Sequence, residues 1–211
     1  TLKANIITNL TNYNTSTLQK FDSVFRFSKV STLIDGTDAS ILSNITTIKI
    51  RKSLQPTINS SLKYNIYFRN GLYNPHTGHN STAGGILTST GFKVSGNTNE
   101  QFLDDDGNGN VRAYYLSGAT RVYTNSTQGT IDYTTGAITI NSLQVTEISN
   151  IRGSASSVIE LTVQPASNDI VPVRDQIIEL DISNSTISVQ KDTFVAGSSD
   201  AGVGYTTTSA Y

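Results

Sequence analysis

The spacing of apolar residues changes its period along this chain. In FDSVFRFSKVSTLIDGTDASILSN, near the front, Val24, Phe27, Val30 and Ile34 recur at helical spacing, while Asp22 and Arg26 stand at i,i+4 on the other face, the spacing of an ion pair. The pattern predicts a helix that Gly36 stops. Thr37 or Asp38 then caps a short second turn, which carries Ile41 and Leu42 into the core beneath. A helix of this kind plugs one side of a sheet.

From Ile45 onward the period is two. In LKYNIYFRNG, Leu62, Tyr64, Ile66 and Phe68 alternate with Lys63, Asn65, Tyr67 and Arg69, giving one apolar and one solvated face, and Asn70-Gly71 follows as a hairpin signal. TTIKIRK before it, and GILTSTGFKV, NVRAYYL, GTIDYTTGAITI, SLQVTEI, SVIELTV, DQIIELDI and STISVQ after it, are short runs rich in Ile, Val, Thr and Tyr, separated by Gly, Asn or Ser. The predicted fold class is mainly β (α+β): antiparallel sheets and hairpins, with one or two short N-terminal helices packed on a sheet.

Two hairpins stand out. In DYTTGAI, Ile131 and Tyr133 face Ile138 and Ile140 across Thr134-Thr135-Gly136, which suits a type I turn plus a bulge with glycine in the left-handed position. FLDDDGNGNVRAYYL allows two readings. As an EF-hand-like loop it offers Asp104, Asp106 and Asn108 at the first, third and fifth ligand positions and Gly109 at the turn. The template then fails, because Tyr115 stands where a bidentate Glu is needed and Arg112 brings a cation to the ninth position. The hairpin reading takes Phe102-Leu103 and Val111 to Tyr115 as arms, with the acids solvating the loop and free to hold Ca²⁺ weakly.

Polar SGNTNE suggests a division into 1–96, a helix plus hairpin subdomain, and 97–194, a β-rich subdomain. Residues 195–211 carry too little apolar content to pack alone and are expected to be an extended or disordered tail, ordered by a partner.

Composition narrows the function. Hydrophobic residues make up 36% of 211, enough for a core, and 15 Lys+Arg against 16 Asp+Glu leave no basic field for nucleic acid. Zero Cys excludes disulfides, thiolate zinc sites and cysteine nucleophiles. The sequence has no membrane-length apolar run, and Thr1 to Asn5 does not read as a signal-peptide start, so a soluble protein is expected. Zero Met and a start at Thr1 suggest a piece of a longer polypeptide.

Candidate chemistry is sparse. His76 and His79 in NPHTGHNSTAGG stand at i,i+3, but no Asp, Glu or Cys lies close in sequence as a third ligand, and Pro75 and Gly78 predict a solvated turn. Neither a nucleophile elbow nor a phosphate-cradling glycine loop is present. The expectation is a non-enzyme without cofactor, metal or small-molecule substrate.

Three segments, FSKVSTLIDGTDASILSNITTIKIRK, GTIDYTTGAITINSL and VQPASNDIVPVRDQIIELD, resemble in order the C-terminal portion of the large baseplate wedge subunit of contractile-tailed T4-like phages, in the version found in cyanophages and other marine phages. The resemblance implies a structural role in the virion: wedge-to-wedge association into the inner baseplate ring around hub and tail tube, after assembly in the host cytoplasm. Implied partners are a second copy of the chain and other wedge proteins, with no nucleic acid or membrane. Arg174 and Asp175, with Asp169 and the terminal Tyr211, are the candidate interface residues, and Arg174 suits a bidentate pair with a carboxylate. An intramolecular surface pair is the alternative for Arg174. For the whole chain the alternative is a β-rich adhesin domain of a viral tail, using Tyr114, Tyr115 and Tyr123 to stack on sugars.

Overall fold

The computed structural model describes residues 1–79, 81–82, 84–173 and 176–190. Helix α1 (Leu2–Tyr13) begins where the Thr1 hydroxyl accepts from the Ala4 amide at 3.4 Å, and it buries Ile6 and Leu10, one turn apart. The sequence reading missed it because Thr and Asn dilute its apolar stripe. A π-helical turn, Asn14–Leu18, continues the helix and drops Leu18 into the core.

Helix α2 (Phe27–Asp35) lies where the periodicity put it, with Val30 buried and Gly36 at its C-cap. Its start is later than Val24 because Phe25 is drawn into an antiparallel bridge with Ile170, through backbone hydrogen bonds of 2.9 and 3.0 Å. The expected Asp22 to Arg26 pair is replaced: Asp22 sits at φ 60° and Arg26 pairs with Asp169. Beyond Gly36 the short second turn forms, with the Ile41 amide donating to the Asp38 carbonyl at 3.1 Å, but it carries only Ile41 inward. Asp38 accepts from the Ser40 amide at 2.9 Å, Ile41 packs inward, and Leu42 is 79% exposed.

Among the described residues nine strands follow, all paired antiparallel: β1 (Ile50–Leu54), β2 (Ser61–Tyr67), β3 (Thr88–Ser89), β4 (Phe92–Val94), β5 (Asn97–Asp105), β6 (Asn110–Ser117), β7 (Thr120–Asp132), β8 (Ala137–Ile148) and β9 (Ile159–Val163). A small sheet has the order β1-β9-β3. The larger has β2-β8-β4-β5-β6-β7, and β7 returns to pair with β8. That return closes β4 to β8 into a five-stranded barrel-like sheet, with β2 added along β8.

Both predicted hairpins form, the β7–β8 one with a longer turn than expected: Ile131 lies opposite Ile138, but Ile140 faces Gly129 and Tyr133 falls in the turn that Gly136 closes at the left-handed φ of 71°. Asp104 lies opposite Arg112 and Asp105 opposite Val111. Asn70-Gly71, in contrast, is not a hairpin turn. Phe68 donates to the Gly136 carbonyl and Leu72 to that of Tyr133, so the chain leaving β2 crosses the tip of the β7–β8 hairpin.

The expected strands in DQIIELDI and STISVQ are absent among the described residues. Ile178, Leu180, Ile182 and Ile187 pack instead on the helical core from an irregular segment with one 3-10 turn, Ile182–Asn184. The sheet also runs across the expected 96/97 division: residues 97–100 open β5, and β2 pairs with β8. The tail 195–211 lies outside the described residues.

Among the described residues two apolar clusters result. The larger fills the sheets, around Phe68, Phe92, Leu103, Ile138, Ile140 and Leu161. The smaller joins α1 and α2 to Phe25 and Ile170. Ile50 of β1 packs against both, so the helical lobe and the sheets meet through it.

Candidate functional site

The densest polar chemistry lies at the β5–β6 hairpin, where the sequence reading placed acids in solvent. Asp104 and Asp105 are each only 1% exposed. Successive strand residues point to opposite faces, so the two carboxylates enter different surroundings. Asp104 takes Arg112 in a two-pronged pair, Nε to Oδ1 at 2.9 Å and Nη2 to Oδ2 at 3.2 Å. Its Oδ2 also accepts from Arg121 Nη1 at 2.6 Å and the Tyr123 hydroxyl at 2.9 Å. The Arg112 guanidinium lies 4.2 Å from the Tyr123 ring centroid, and that of Arg121 4.7 Å from the centroid of Tyr114.

Asp105 accepts from the Leu87 amide at 2.8 Å, the Gly107 amide at 3.3 Å and the Tyr133 hydroxyl at 2.6 Å. Burial, then the bond to Asp105 and its charge, push the Tyr133 hydroxyl well above the ordinary tyrosine range. Gly84 and Gly85 press onto these carboxylates. A Cβ on Gly84, at φ +81°, would lie 1.6 Å from Arg121 Nη1, and one on Gly85 2.1 Å from Asp105 Oδ2.

Asp106 alone belongs to the loop. Its carboxylate accepts from the amides of Asn108 (2.8 Å) and Asn110 (2.9 Å) and from Asn110 Nδ2 (2.7 Å), an Asx-type turn. Burial raises its carboxyl, yet these bonds and the Arg112 charge outweigh that and hold it below the usual carboxylate range. With Asp104 engaged by two arginines and a phenol, the EF-hand positions are already filled by donors of this chain. Among the described residues no group of three or more His, Cys, Asp or Glu gathers as a metal cage.

The tyrosines read as a sugar platform are not laid out as one. Tyr114 is 8% exposed, and Tyr123 spends its hydroxyl on Asp104. The histidine loop is docked rather than simply solvated. Gly78 donates to the Gly107 carbonyl at 2.9 Å and Asn74 Nδ2 to the same oxygen at 3.3 Å. His76 and His79 touch edge to face, with ring centroids 5.0 Å apart.

Of the candidate interface residues, Asp169 is placed inside the fold's own bonding. One oxygen pairs with Arg26 Nη1 at 2.8 Å and the other accepts from the Phe27 amide at 2.8 Å, so it caps α2 from a distant part of the chain. The Arg26 hydrogen bond, then the Phe27 amide, hold its carboxyl below the usual range. Arg174, Asp175 and Tyr211 lie outside the described residues. The sequence reading missed Arg26, Asn14 and Arg51 as partners of the C-terminal segment. Asn14 Oδ1 accepts from the Leu180 amide at 2.7 Å, and Arg51 pairs with Glu160 at 2.8 Å and with Asp181. Their signal was long-range charge and amide complementarity, which no local window contains.

The helical lobe leaves large apolar side chains in water: Phe21 is 75% exposed, Leu42 79% and Ile45 100%. Exposed apolar groups of this size mark surfaces where another protein can gain by burying them. No curated protein matches the chain. Residues 1–53 of the 211, which span α1, α2 and the start of β1, match the family described as Baseplate structural protein gp6, C-terminal domain III, and that part of the chain is similar to a baseplate structural protein.

Proposed function

We propose that this chain is a passive architectural piece of a T4-like phage tail baseplate, of the marine type. In this reading it joins wedges into the inner ring around hub and tail tube through contacts with a second copy and with other wedge proteins. It performs no catalysis and needs no cofactor, and it is incorporated into the virion after assembly in the host cytoplasm. The family match over residues 1–53 carries the reading. Two further features support it. The formal net charge of −1 spares a many-copy ring from accumulated repulsion. The buried carboxylates are satisfied within the chain, which suits a rigid part more than a reactive one.

The test is to label tails with gold-tagged antibodies raised against this chain and to image them by electron microscopy. Label encircling the tube at the baseplate is expected; label at fibre ends would overturn the reading in favour of an adhesin. Light scattering on the isolated chain separates the same two ideas, since a wedge joint predicts dimers and a receptor-binding tip predicts trimers.

A further inference from the structure

The His76–His79 pair is outside the proposed structural role and has a geometry of its own. His79 Nδ1 lies 3.3 Å from His76 Nε2. Zinc-bound imidazoles have Zn–N bonds of about 2.0–2.1 Å, which at the tetrahedral angle set two ligating nitrogens about 3.3–3.4 Å apart. The two ring nitrogens therefore already stand at the separation a divalent ion requires.

The hydrogen bonding also selects the right nitrogen. His76 Nδ1 lies 3.1 Å from the Thr77 carbonyl oxygen, which can only accept, so Nδ1 carries the proton and Nε2 of the neutral ring presents its lone pair. An N–H to a backbone carbonyl is the usual means of orienting a metal-ligating imidazole. In the tautomer that carries the His79 proton on Nε2, both facing nitrogens present lone pairs.

Backbone bonds set the conformation of residues 76–79. Gly78 takes a φ of +76°, and the His79 amide donates to the His76 carbonyl at 3.1 Å. A Cβ on Gly107 would lie 2.4 Å from the His79 carbonyl oxygen, so the loop rests on the β5–β6 hairpin at a distance only glycine permits. Tyr73 stacks edge-on against the His79 ring, with centroids 5.4 Å apart.

We propose that His76 Nε2 and His79 Nδ1 form a two-imidazole site for a first-row divalent cation of the zinc, nickel or copper class, with water completing the coordination. The experiment is isothermal titration of the untagged chain with zinc chloride and with nickel chloride in a non-chelating buffer, alongside His76→Asn, His79→Asn and the double variant. Metal-free melting curves confirm that the variants fold. One equivalent of metal is expected, weakened at least about tenfold in each single variant and lost in the double, as removal of a ligand requires. Nitrogen-15 spectra of the imidazoles should show metal-dependent shifts at His76 Nε2 and His79 Nδ1. No binding at millimolar metal, or unchanged binding in the double variant, would overturn the proposal.

Discussion

Replacing Asp104 with Ala removes the shared acceptor of four hydrogen bonds, two from Arg112 and one each from Arg121 and Tyr123. Deleting one partner of a buried ion pair costs about 3–5 kcal/mol, because the other charge is stranded. Here the carboxylate side chain is 1% exposed, Arg112 12% and Arg121 30%. Arg121 can turn partly to water, and Arg112 keeps the Ser81 and Asp105 carbonyls, at 2.9 and 3.0 Å. The lower end, about 3 kcal/mol, is therefore expected. For a chain of this size that is a fall in Tm of about 6–12 °C. Asp104→Asn should lose about 2–3 kcal/mol despite its matched volume, because its amide turns a donor toward donors. Differential scanning calorimetry reads both. As the control, Lys93→Ala breaks the exposed pair with Glu147 and should cost less than about 1 kcal/mol. If both Asp104 variants melt within about 2 °C of the parent, the cluster is not the stabilising element its burial implies.

Gly129→Ala should be more severe, about 3 kcal/mol or more, since its Cβ would fall 1.9 Å from the Thr139 carbonyl oxygen across the β7–β8 pairing; urea melts would show it. Tyr114, Tyr123 and Tyr133 all have hydroxyls raised by burial, so their contribution is complete below the unfolded tyrosine value near about 10 and declines as pH rises past it. Tyr133→Phe should flatten that alkaline decline in Tm, and an unchanged slope refutes the assignment. Asp169→Ala should speed hydrogen exchange at the Phe27 amide and remove the part of the acid sensitivity due to its lowered carboxyl, which is present above about pH 4 and lost as pH falls through the folded value. Calcium at millimolar concentration should leave Tm unchanged, because Asp104 already holds Arg112, Arg121 and Tyr123; a rise of several degrees would reinstate the EF-hand reading.

What could be read ahead of the structure followed local pattern. Alternation found the strand around Ile66 and Phe68, the Gly136 turn announced its hairpin, and Val30 with Gly36 located α2. The misses arose where distant partners decide. Asn70-Gly71 has the composition of a tight turn, but Phe68 and Leu72 were already committed to Gly136 and Tyr133. Ile177 to Ile182 has strand composition, yet Asn14 and Arg51 hold this segment against the helices. The acid run shows the limit most clearly. In the folded hairpin Asp104 stands opposite Arg112, a register set by the tight turn in which the Asp106 amide donates to the Asn110 carbonyl, and Tyr123, Tyr133 and Gly84 arrive from strands and loops that no spacing rule connects.

The bridge between Phe25 and Ile170 and the bond from Leu180 to Asn14 also bear on how quickly the native state is reached. These contacts, like β1 with β9 and β2 with β8, link positions far apart in sequence, and such high contact order slows the search for the native topology. On a ribosome, the cluster around Ile6, Leu10 and Leu18 would have Phe25 and Val30 early but stay incomplete until Ile170 and the segment from Ile178 to Ile187 had emerged. A truncation before Asp169 should leave the amino-terminal helices sticky and unsettled, however complete the strands behind them.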